Sequence, residues 1–462
     1  MTPRVSVCIP TRDQAEYLGA ALASVLREDV DGGLEVLVHD DASSDDTARV
    51  VAAFGGPRVR YRRHPAPLGV GVNRNTLLAG ARGDYVAWLD SDDVRRPGTL
   101  ARQVALLDAH PEVVLAHGGH GVIDADGRAL PDWPAPFAHD AIEPSAVAFA
   151  NLVATNEMTT STVVVRRSAH DAAGPFATTI GASSTDWEMW LRIALRGAVA
   201  YSAERVADYR QHARTISRAT AAGGERLRCN VRVVRLVLRE ERLRIPHHGR
   251  ARATAEAGLA AQALLHAGDA YTRGDPAAAL DTIALADRFT ATASTRATLD
   301  RLCAATARGD DAACLRETRA ALAALADALD GTRFGARLRR ESAPDEGWDA
   351  QLARAGAAVA RATPADAVIA AIAKWDPAIL DRCGRDGVNF PDRGLLPDGY
   401  PRDGATAVAH LEALRARRGV THVVVPQVSG WWLEHYPELA RRLGTPLWRD
   451  TDCAIFDVGA AR

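Results

Sequence analysis

The chain carries an acidic tetrad, Asp90, Ser91, Asp92 and Asp93, directly after the hydrophobic run 85–89. A strand that ends in clustered carboxylates gathers negative charge at one point, which costs repulsion unless a cation compensates it. Mg²⁺ and Mn²⁺ prefer oxygen ligands and bind through one or two carboxylates together with substrate phosphates. The tetrad therefore predicts a site for a metal-bound diphosphate. The alternative is an acidic turn that caps the next helix.

Another carboxylate, Asp186, lies where a helix is predicted to begin. The segment from Thr185 onward places Trp187, Trp190 and Leu191 on one helix face. The positive end of the helix dipole favours the ionised form of a carboxyl group in the first turn. On its own this position has two interpretations, a helix cap and a functional carboxylate.

Strands and helices alternate in the first 90 residues and must position these groups. Hydrophobic runs predict four strands, at residues 5–10, 34–39, 59–61 and 85–89. Apolar spacing predicts helices near 16–26 and 72–81. Such alternation is typical of a mostly parallel sheet, in which ligands bind beyond the carboxyl ends of the strands. Thr11, Asp41 and Asp92 each follow a strand, so we expect them at one edge of the sheet.

Four stretches resemble, in order, a family 2 glycosyltransferase with the GT-A fold. They read VSVCIPTRDQAEYL, LVHDDASSDDT, PLGVGVNRNTLLAGARGDYVAWLDSDD and STDWEMWLRIALRG. The resemblance implies an α/β domain with a Rossmann-like mixed sheet that binds a nucleotide-diphospho-sugar. It also implies a nucleotide that is a uridine diphosphate, with guanosine and deoxythymidine carriers left open.

The resemblance assigns roles to particular residues. It implies that Asp41 contacts the base and that Asp92 is the direct ligand of Mg²⁺ or Mn²⁺. The family usually has an aromatic residue and Asn after the Pro-Thr pair, where this chain has Arg12 and Asp13, so base stacking by that aromatic residue is lost. The full expected nucleotide-binding set is Pro10, Thr11, Arg12, Asp41, Arg74, Asp90 and Ser91.

The same resemblance implies that Asp186 is the general base. The family carries a Glu-Asp pair at this point, and here Thr185 replaces the Glu. Trp187, Arg210 and His212 are candidates for contacts with the diphosphate or the acceptor. The alternatives are core packing for Trp187 and a structural role for His212.

The expected reaction is an inverting sugar transfer, in glycan or polysaccharide biosynthesis, to a glycan, lipid-linked or protein acceptor. Asp186 would accept the acceptor's proton. One alternative is a catalytically silent scaffold that binds a nucleotide-sugar or glycan. Another is a sugar-1-phosphate nucleotidyltransferase, which predicts a glycine-rich basic loop after the first strand; residues 10–13 read PTRD instead.

Composition is typical of a cytoplasmic enzyme. The 462 residues carry a formal net charge of −2, which argues against a nucleic-acid binder. The six cysteines lack CxxC spacing and are expected to be reduced thiols. Since no apolar run reaches 18 residues, we expect no membrane-spanning segment. Peripheral membrane association and homo-oligomers remain open.

We expect the GT-A domain to cover residues 1–220, followed by a helical region at 221–345. In that region an Arg-Gly-Asp turn recurs after about 35 residues, at 273–275 and 308–310. This spacing is close to the tetratricopeptide period. An ordinary helical bundle is the alternative.

Residues 346–462 are expected to form a small α/β module. The stretch resembles an accessory module attached to actinobacterial-type glycosyltransferases, through NFP, HLEALRARRGVTHVVVP and WWLEHYPELARRL. A single helix is predicted over 431–443. Its Trp431, Trp432, His435 and Tyr436 are expected either to form a sugar-stacking surface or to pack inside the module.

Overall fold

The computed structural model describes residues 2–131, 137, 139–215, 224–272, 274–289, 293–342, 346–372, 378–391, 401 and 403–459. The chain divides into two compact units. The first comprises Met1–Leu259 and Gly331–Phe334, and the second comprises Ala260–Asp330 and Gly335–Arg462.

A ten-stranded mixed sheet forms the first unit. Its strands are β1 (Val5–Thr11), β2 (Leu34–Asp40), β3 (Val59–Arg63), β4 (Tyr85–Trp88), β5 (Val94–Arg95), β6 (Val113–Ile123), β7 (Ala129–Leu130), β8 (Ala141–Glu143), β9 (Val164–Arg166) and β10 (Ala198–Arg210). The order is β3-β2-β1-β4-β9-β6-β10-β5, with β7 on β6 and β8 on β10. Strands β3, β2, β1 and β4 run parallel, whereas β9 is antiparallel to both β4 and β6.

Helices cover this sheet. They are α1 (Ala15–Leu26), α2 (Thr47–Ala53), α3 (Val70–Gly80), α4 (Thr99–Ala109), α5 (Ser145–Ala154), α6 (Arg167–Ala173), α7 (Thr185–Ala194) and α8 (Glu225–Glu240). A 3-10 turn, Thr160–Thr162, precedes β9. The core joins residues of β1, such as Val7 and Ile9, to Leu18 and Leu22 of α1. Interior parallel strands are buried on both faces, which explains why they read as continuous hydrophobic runs.

Strand β3 lies at one end of the sheet order and is mostly exposed. Three of its five residues are arginines, at Arg60, Arg62 and Arg63, and Arg58 directly precedes it. Arg60 pairs with the buried Glu35 at 3.0 Å. The exposed edge of the sheet is therefore basic.

The second unit contains a helical part and a small sheet. The helices are α9 (His248–Thr272), which begins in the first unit, α10 (Pro276–Asp287), α11 (Ala293–Arg308), α12 (Asp311–Ala328), α13 (Arg333–Ser342) and α14 (Glu346–Ala362). The sheet elements are β11 (Val368–Ala371), α15 (Ala378–Cys383), β12 (Asp386–Asn389), α16 (Gly404–Arg418), β13 (His422–Pro426), α17 (Trp431–His435), α18 (Pro437–Leu443), β14 (Trp448–Arg449) and β15 (Cys453–Asp457). Its strand order is β12-β11-β13-β15-β14.

The two Arg-Gly-Asp turns have the same geometry. Gly274 and Gly309 have positive φ angles, of 79° and 69°. In each turn the Asp side chain caps the following helix, since Asp275 accepts from Ala278 N–H and Asp310 from Ala313 N–H, both at 2.9 Å. The recurrence in sequence is thus a recurrence of one helix-turn-helix connection.

The single helix predicted over 431–443 is wrong, because the structure has two helices there. Pro437 begins the second helix, and a residue before proline avoids the α conformation. Tyr436 accordingly has φ −117° and ψ 77°. Trp432 and Tyr436 are 4% and 3% exposed and belong to the core, which favours internal packing of these two aromatic rings. The side chain of Trp431 lies outside the described residues.

The predicted α/β fold class is confirmed, as a mixed sheet with many helices and a separate small sheet. The observed bounds of the first four strands lie within two residues of the predicted ones. Within the described ranges, no helix is both long and apolar enough to cross a membrane. The six cysteines are free thiols.

Candidate active site

The acidic tetrad follows β4 and is anchored from inside the domain. Asp93 is buried, and its carboxyl group accepts from Ser161 Oγ at 2.5 Å and from Arg210 N–H at 2.8 Å. Burial raises the pKa of Asp93 well above its ordinary value, and the neighbouring Asp92 and Asp90 add to the rise. Asp93 therefore anchors the tetrad. Ser91 is also buried, at 5% exposed.

Arg74, on α3, connects two parts of the site. Its guanidinium group donates to Asp90 Oδ1 at 3.3 Å and to Thr185 Oγ1 at 2.9 Å, while the side chain is only 6% exposed. Although a third of the Asp90 side chain remains exposed, desolvation of its carboxyl group raises the pKa of Asp90 to about 6. Arg74 opposes this rise, whereas Asp92 and Asp186 add to it. Three carboxylates therefore share one electrostatic environment.

Asp92 is held at both its side chain and its backbone. His212 Nδ1 accepts from Arg214 N–H at 3.2 Å, so Nε2 carries the proton and donates to Asp92 Oδ2 at 3.0 Å. Arg210 Nε donates to the backbone carbonyl of Asp92 at 2.7 Å. The ring of Tyr17 packs on His212, with centroids 4.6 Å apart.

The remaining bonds of Arg210 also go to backbone carbonyls, those of Asp124 and Ala125, each at 3.0 Å. Arg210 is 5% exposed. In this structure its guanidinium group supports the tetrad. The predicted contact of Arg210 with a diphosphate stays a prediction.

Asp186 lies in the first turn of α7, and two donors fix its carboxylate. Its Oδ1 accepts from Trp187 N–H at 2.8 Å, and its Oδ2 accepts from Thr160 Oγ1 at 2.9 Å. Trp187 itself is 1% exposed and donates its indole N–H to Leu152 O at 2.8 Å. The indole thus packs in the core, the alternative given for it above, while Asp186 stays partly exposed.

Two further predicted site residues lie at strand ends, since Thr11 is the last residue of β1 and Asp41 directly follows β2. Asp41 is buried and accepts from the backbone N–H groups of Leu68 and Gly69, at 2.7 and 2.9 Å. Gly69 has a φ of 87°, a conformation that favours glycine. Thr11 is 3% exposed, and its Oγ1 has no hydrogen-bond partner among the described residues. A buried hydroxyl without a partner is costly unless a ligand satisfies it.

The residues that depart from the family pattern have a structural use. Asp13 Oδ1 accepts from both the backbone N–H and the hydroxyl of Ser44, at 2.7 and 3.0 Å, and Asp13 N–H donates to Ser43 Oγ at 2.9 Å. Asp13 therefore joins the loop after β1 to the loop after β2. Arg12 has an exposed side chain, and Pro10 lies buried within β1.

The carboxylates fit a hard divalent cation. Within the described part of the chain, no group of three or more His, Cys, Asp and Glu side chains forms a ready metal site. Burial is the main cause of the raised pKa of Asp90, and the negative charges of Asp92 and Asp186 add to it. Mg²⁺ binds through one or two carboxylates together with substrate phosphates, not through a cage of protein ligands. The pair Asp90 and Asp92 matches that mode of binding.

The sequence analysis named Asp93 only as a member of the tetrad, without its anchoring role, and it missed two residues at this site, Thr160 and Ser161. Thr160 and Ser161 lie in the run TTST at 159–162, a pattern that matches no catalytic motif. The only available signal was a run of four hydroxyl side chains before a strand.

Residues 6–121 match the family model for glycosyl transferase family 2. An uncharacterized protein of Mycobacterium tuberculosis is 30% identical over 219 residues, which cover 46% of this chain and 60% of that relative. The succinoglycan biosynthesis protein ExoO of Rhizobium meliloti is 36% identical over 128 residues, covering 28% of this chain and 36% of ExoO. The chain thus spans less than two thirds of the length of each of these relatives.

A relative in Escherichia coli has a more specific name. The UDP-Glc:alpha-D-GlcNAc-diphosphoundecaprenol beta-1,3-glucosyltransferase WfgD is 33% identical over 103 residues, covering 22% of this chain and 40% of WfgD. Among solved structures, S. aureus TarS 1–349 in complex with UDP-GlcNAc has a TM-score of 0.49 and 17% identity, covering 73% of this chain and 92% of that one.

The family match spans β1 to β6, which includes the acidic tetrad, Asp41 and Arg74. The mixed sheet agrees with the GT-A fold expected for that family. Residues 6–121 of this N-terminal domain therefore match glycosyl transferase family 2.

Proposed function

We propose that the protein is an inverting glycosyltransferase that moves a sugar from a UDP-sugar to an acceptor hydroxyl. The observation that carries this proposal is the position of the buried Arg74, which donates both to Asp90 and to Thr185, the neighbour of Asp186. One side chain thereby joins the carboxylates suited to a donor diphosphate to the carboxylate suited to activate an acceptor.

The loops after β1 and β2 support a nucleotide site. The buried Thr11 hydroxyl lacks a partner in the described structure, and Asp41 is fixed by two backbone N–H groups. The name of the relative WfgD includes UDP-glucose and a lipid-linked diphosphate, and ExoO is named for succinoglycan biosynthesis. These names support a UDP-sugar donor and an acceptor that is a glycan or a lipid-linked glycan.

In the proposed reaction the acceptor oxygen forms a bond to the anomeric carbon while the bond from that carbon to the donor phosphate oxygen breaks. The electron pair of the broken bond leaves with the nucleoside diphosphate, and the acceptor proton moves to Asp186. Attack occurs opposite the leaving group, so the anomeric configuration inverts. Asp186 is partly exposed and its carboxylate is oriented by Thr160 and Trp187, as this role requires.

Asp92, with Asp90 beside it, is the group that we propose to hold Mg²⁺ or Mn²⁺. The bound ion supplies positive charge against the leaving diphosphate. His212 and Arg210 keep Asp92 in place through its carboxylate and its carbonyl oxygen. Both are therefore positioning residues in this proposal.

Thermal unfolding with a panel of nucleoside diphosphates, each with Mn²⁺ and with EDTA, tests the donor site. A ligand at 100 times its dissociation constant stabilises the native state by about 2.7 kcal/mol. We expect a Mn²⁺-dependent stabilisation by UDP that Asp92→Asn removes. The exposed Asp126, which pairs with Arg128, provides the control variant Asp126→Asn.

Transfer is tested next with UDP-sugars and lipid-linked or oligosaccharide acceptors. Product formation with inverted anomeric configuration is the expected result. UDP binding with neither transfer to any acceptor nor hydrolysis of the donor would instead favour a silent nucleotide-sugar-binding scaffold. Absence of nucleotide binding would overturn the proposal.

A further inference from the structure

The 3-10 turn Thr160–Thr162 joins the two acidic parts of the site. Its three side chains are buried and all carry hydroxyl groups. Thr160 donates to Asp186 Oδ2 at 2.9 Å. Ser161 donates to Asp93 Oδ2 at 2.5 Å and accepts from Asp90 N–H at 3.0 Å.

The bonds of Thr160 and Ser161 have defined directions. A hydroxyl group has one proton to donate, and each of these two protons goes to a carboxylate oxygen. Ser161 also receives the N–H of Asp90, so it binds the first and the last residue of the tetrad at once. Neighbouring residues of one turn thus set where Asp186 lies relative to the tetrad.

Within the reaction proposed above, this placement has a chemical consequence. A general base acts only within hydrogen-bond distance of the proton that it accepts. An error of about 1 Å in placement costs on the order of 100-fold in rate. The distance between Asp186 and the acidic tetrad must therefore be held closely. The turn Thr160–Thr162 contacts both, because Thr160 binds Asp186 and Ser161 binds the Asp93 carboxyl group and the backbone N–H of Asp90.

We propose that Thr160 and Ser161 are positioning residues that hold the candidate base and the acidic tetrad in register. Thr160 orients Asp186 towards the acceptor, and Ser161 fixes the tetrad that faces the donor. The inference rests on the proposed sugar transfer and adds residues to its machinery.

Thr162 offers a matched control within the same turn. It is as buried as its neighbours, but its hydroxyl donates to the carbonyl of Thr159 and not to a carboxylate. Thr160→Val and Thr162→Val remove one hydroxyl each and preserve side-chain shape. Both leave one acceptor without its donor, so a purely structural role predicts equal effects on stability and activity.

We expect Thr160→Val to lower kcat by about 10- to 100-fold with the KM for the donor nearly unchanged, and Thr162→Val to change neither by more than about twofold. Thr160→Ser restores the hydroxyl and should recover most of the rate. Ser161→Ala should raise the KM for the donor as well as lower kcat, because Ser161 contacts the tetrad. Equal losses in Thr160→Val and Thr162→Val, or no rescue by Thr160→Ser, would overturn the proposal.

A second readout does not depend on turnover. The carboxyl carbon of Asp186 can be followed by NMR in protein labelled with ¹³C at aspartate side chains. Its chemical shift should move in Thr160→Val and stay in place in Thr162→Val, while the Asp93 signal should move only in Ser161→Ala. If the variants show these changes in chemical shift but the wild-type protein transfers no sugar, the proposed function fails and the positioning contacts stand. If the Asp186 signal is insensitive to Thr160→Val, the positioning proposal fails whether or not sugar transfer is found.

Discussion

At the scale of single residues, Asp186 and the tetrad have different surroundings. Asp186 keeps part of its carboxylate exposed and receives two hydrogen bonds. Asp93 is buried, so its carboxyl group cannot meet a substrate. The division between an accessible acid group and an anchoring one explains why four acidic residues at one site need not share one role.

The replacement Asp186→Asn tests the base directly. The amide keeps the shape of the side chain but cannot accept a proton, so we expect transfer to fall by about 100- to 10,000-fold. The dissociation constant of the donor should stay within about twofold of wild type, since Asp186 acts on the acceptor. Asp171→Asn, at a side chain that is 65% exposed, is the control. Loss of donor affinity together with activity would place Asp186 in the donor site instead.

Three buried histidines make the first unit sensitive to acid. Burial lowers the pKa of His117 and His170 to about 3 and that of His39 to about 4, and nearby cationic groups add to each effect. The unfolded chain therefore binds more protons than the native state below about pH 6.5. The free energy of unfolding is fully retained above that pH and decreases as the pH falls towards 4.

The expected slope is up to about 1.4 kcal/mol per pH unit for each histidine. His117 packs on Tyr201 at 5.0 Å between ring centroids, so His117→Phe conserves the ring contact. Between pH 6 and 4 this variant should lower the number of protons taken up on unfolding by about one, and the slope of the free energy of unfolding against pH should decrease accordingly. Chemical denaturation at several pH values measures it. His110→Gln, at a side chain that is 42% exposed, is the comparison, and a slope in His117→Phe equal to wild type would contradict the expectation.

At the scale of elements, the sequence predicts those parts whose signal is local. Strands β1, β2 and β4 are hydrophobic runs because they are buried on both faces, and Thr11, Asp41 and Asp92 could be placed from the strand ends alone. The partners that complete the site could not be placed in this way. Thr160 meets Asp186 across 26 residues and Ser161 meets Asp90 across 71, and such contacts leave no periodic pattern.

The aromatic residues of the second unit show a different limit. Trp432 and Tyr436 have the composition of a sugar-binding surface, but the choice between surface and core depends on what packs against them. Both rings belong to the core of the small sheet, where Trp432 packs on Phe390 and Tyr436 packs on Trp432. In the sequence, Pro437 indicates the break between α17 and α18. The apolar spacing on either side of it, however, favours one continuous helix, which is why the prediction was wrong.

The repeated turns of the helical part give a prediction at this scale. Asp275 and Asp310 each cap a helix, and removal of such a cap costs about 1 kcal/mol. We expect Asp275→Ala and Asp310→Ala to lower the protection of their own helices from hydrogen exchange by similar amounts. Asp300→Ala, at an exposed site within α11, should have little effect. Unequal losses would show that the two turns are not equivalent units.

At the scale of the whole chain, the first unit is not one continuous segment. Residues 331–334 belong to it although the preceding 71 residues do not. Arg333 attaches this short segment to the rest of the first unit. It pairs with Glu143 and with Glu157 at 2.5 Å, and its guanidinium group lies 4.1 Å from the centroid of the Phe137 ring. The predicted boundaries at 220 and 345 remain proposals, and the compact units divide the chain differently.

Arg333→Ala tests this connection. Its partners are 14% and 13% exposed, and removal of one member of a buried ion pair costs about 3 kcal/mol or more. We expect the first unit to unfold at lower denaturant concentration, with a change of that size. Arg337→Ala, whose partner Glu341 is 39% exposed, should cost less than about 1 kcal/mol. Equal decreases in the free energy of unfolding in both variants would show that the ion pairs of Arg333 stabilise the first unit no more than an exposed ion pair does.

The arginine-rich β3 also bears on how copies of the protein behave in solution. A free strand edge offers unpaired backbone groups to any other strand, which is a common route to aggregation. Here Arg60, Arg62 and Arg63 lie along that edge, and a second copy adding in the same way would bring like charges into contact. We therefore expect the arginines of β3 to disfavour growth of the sheet past its last strand.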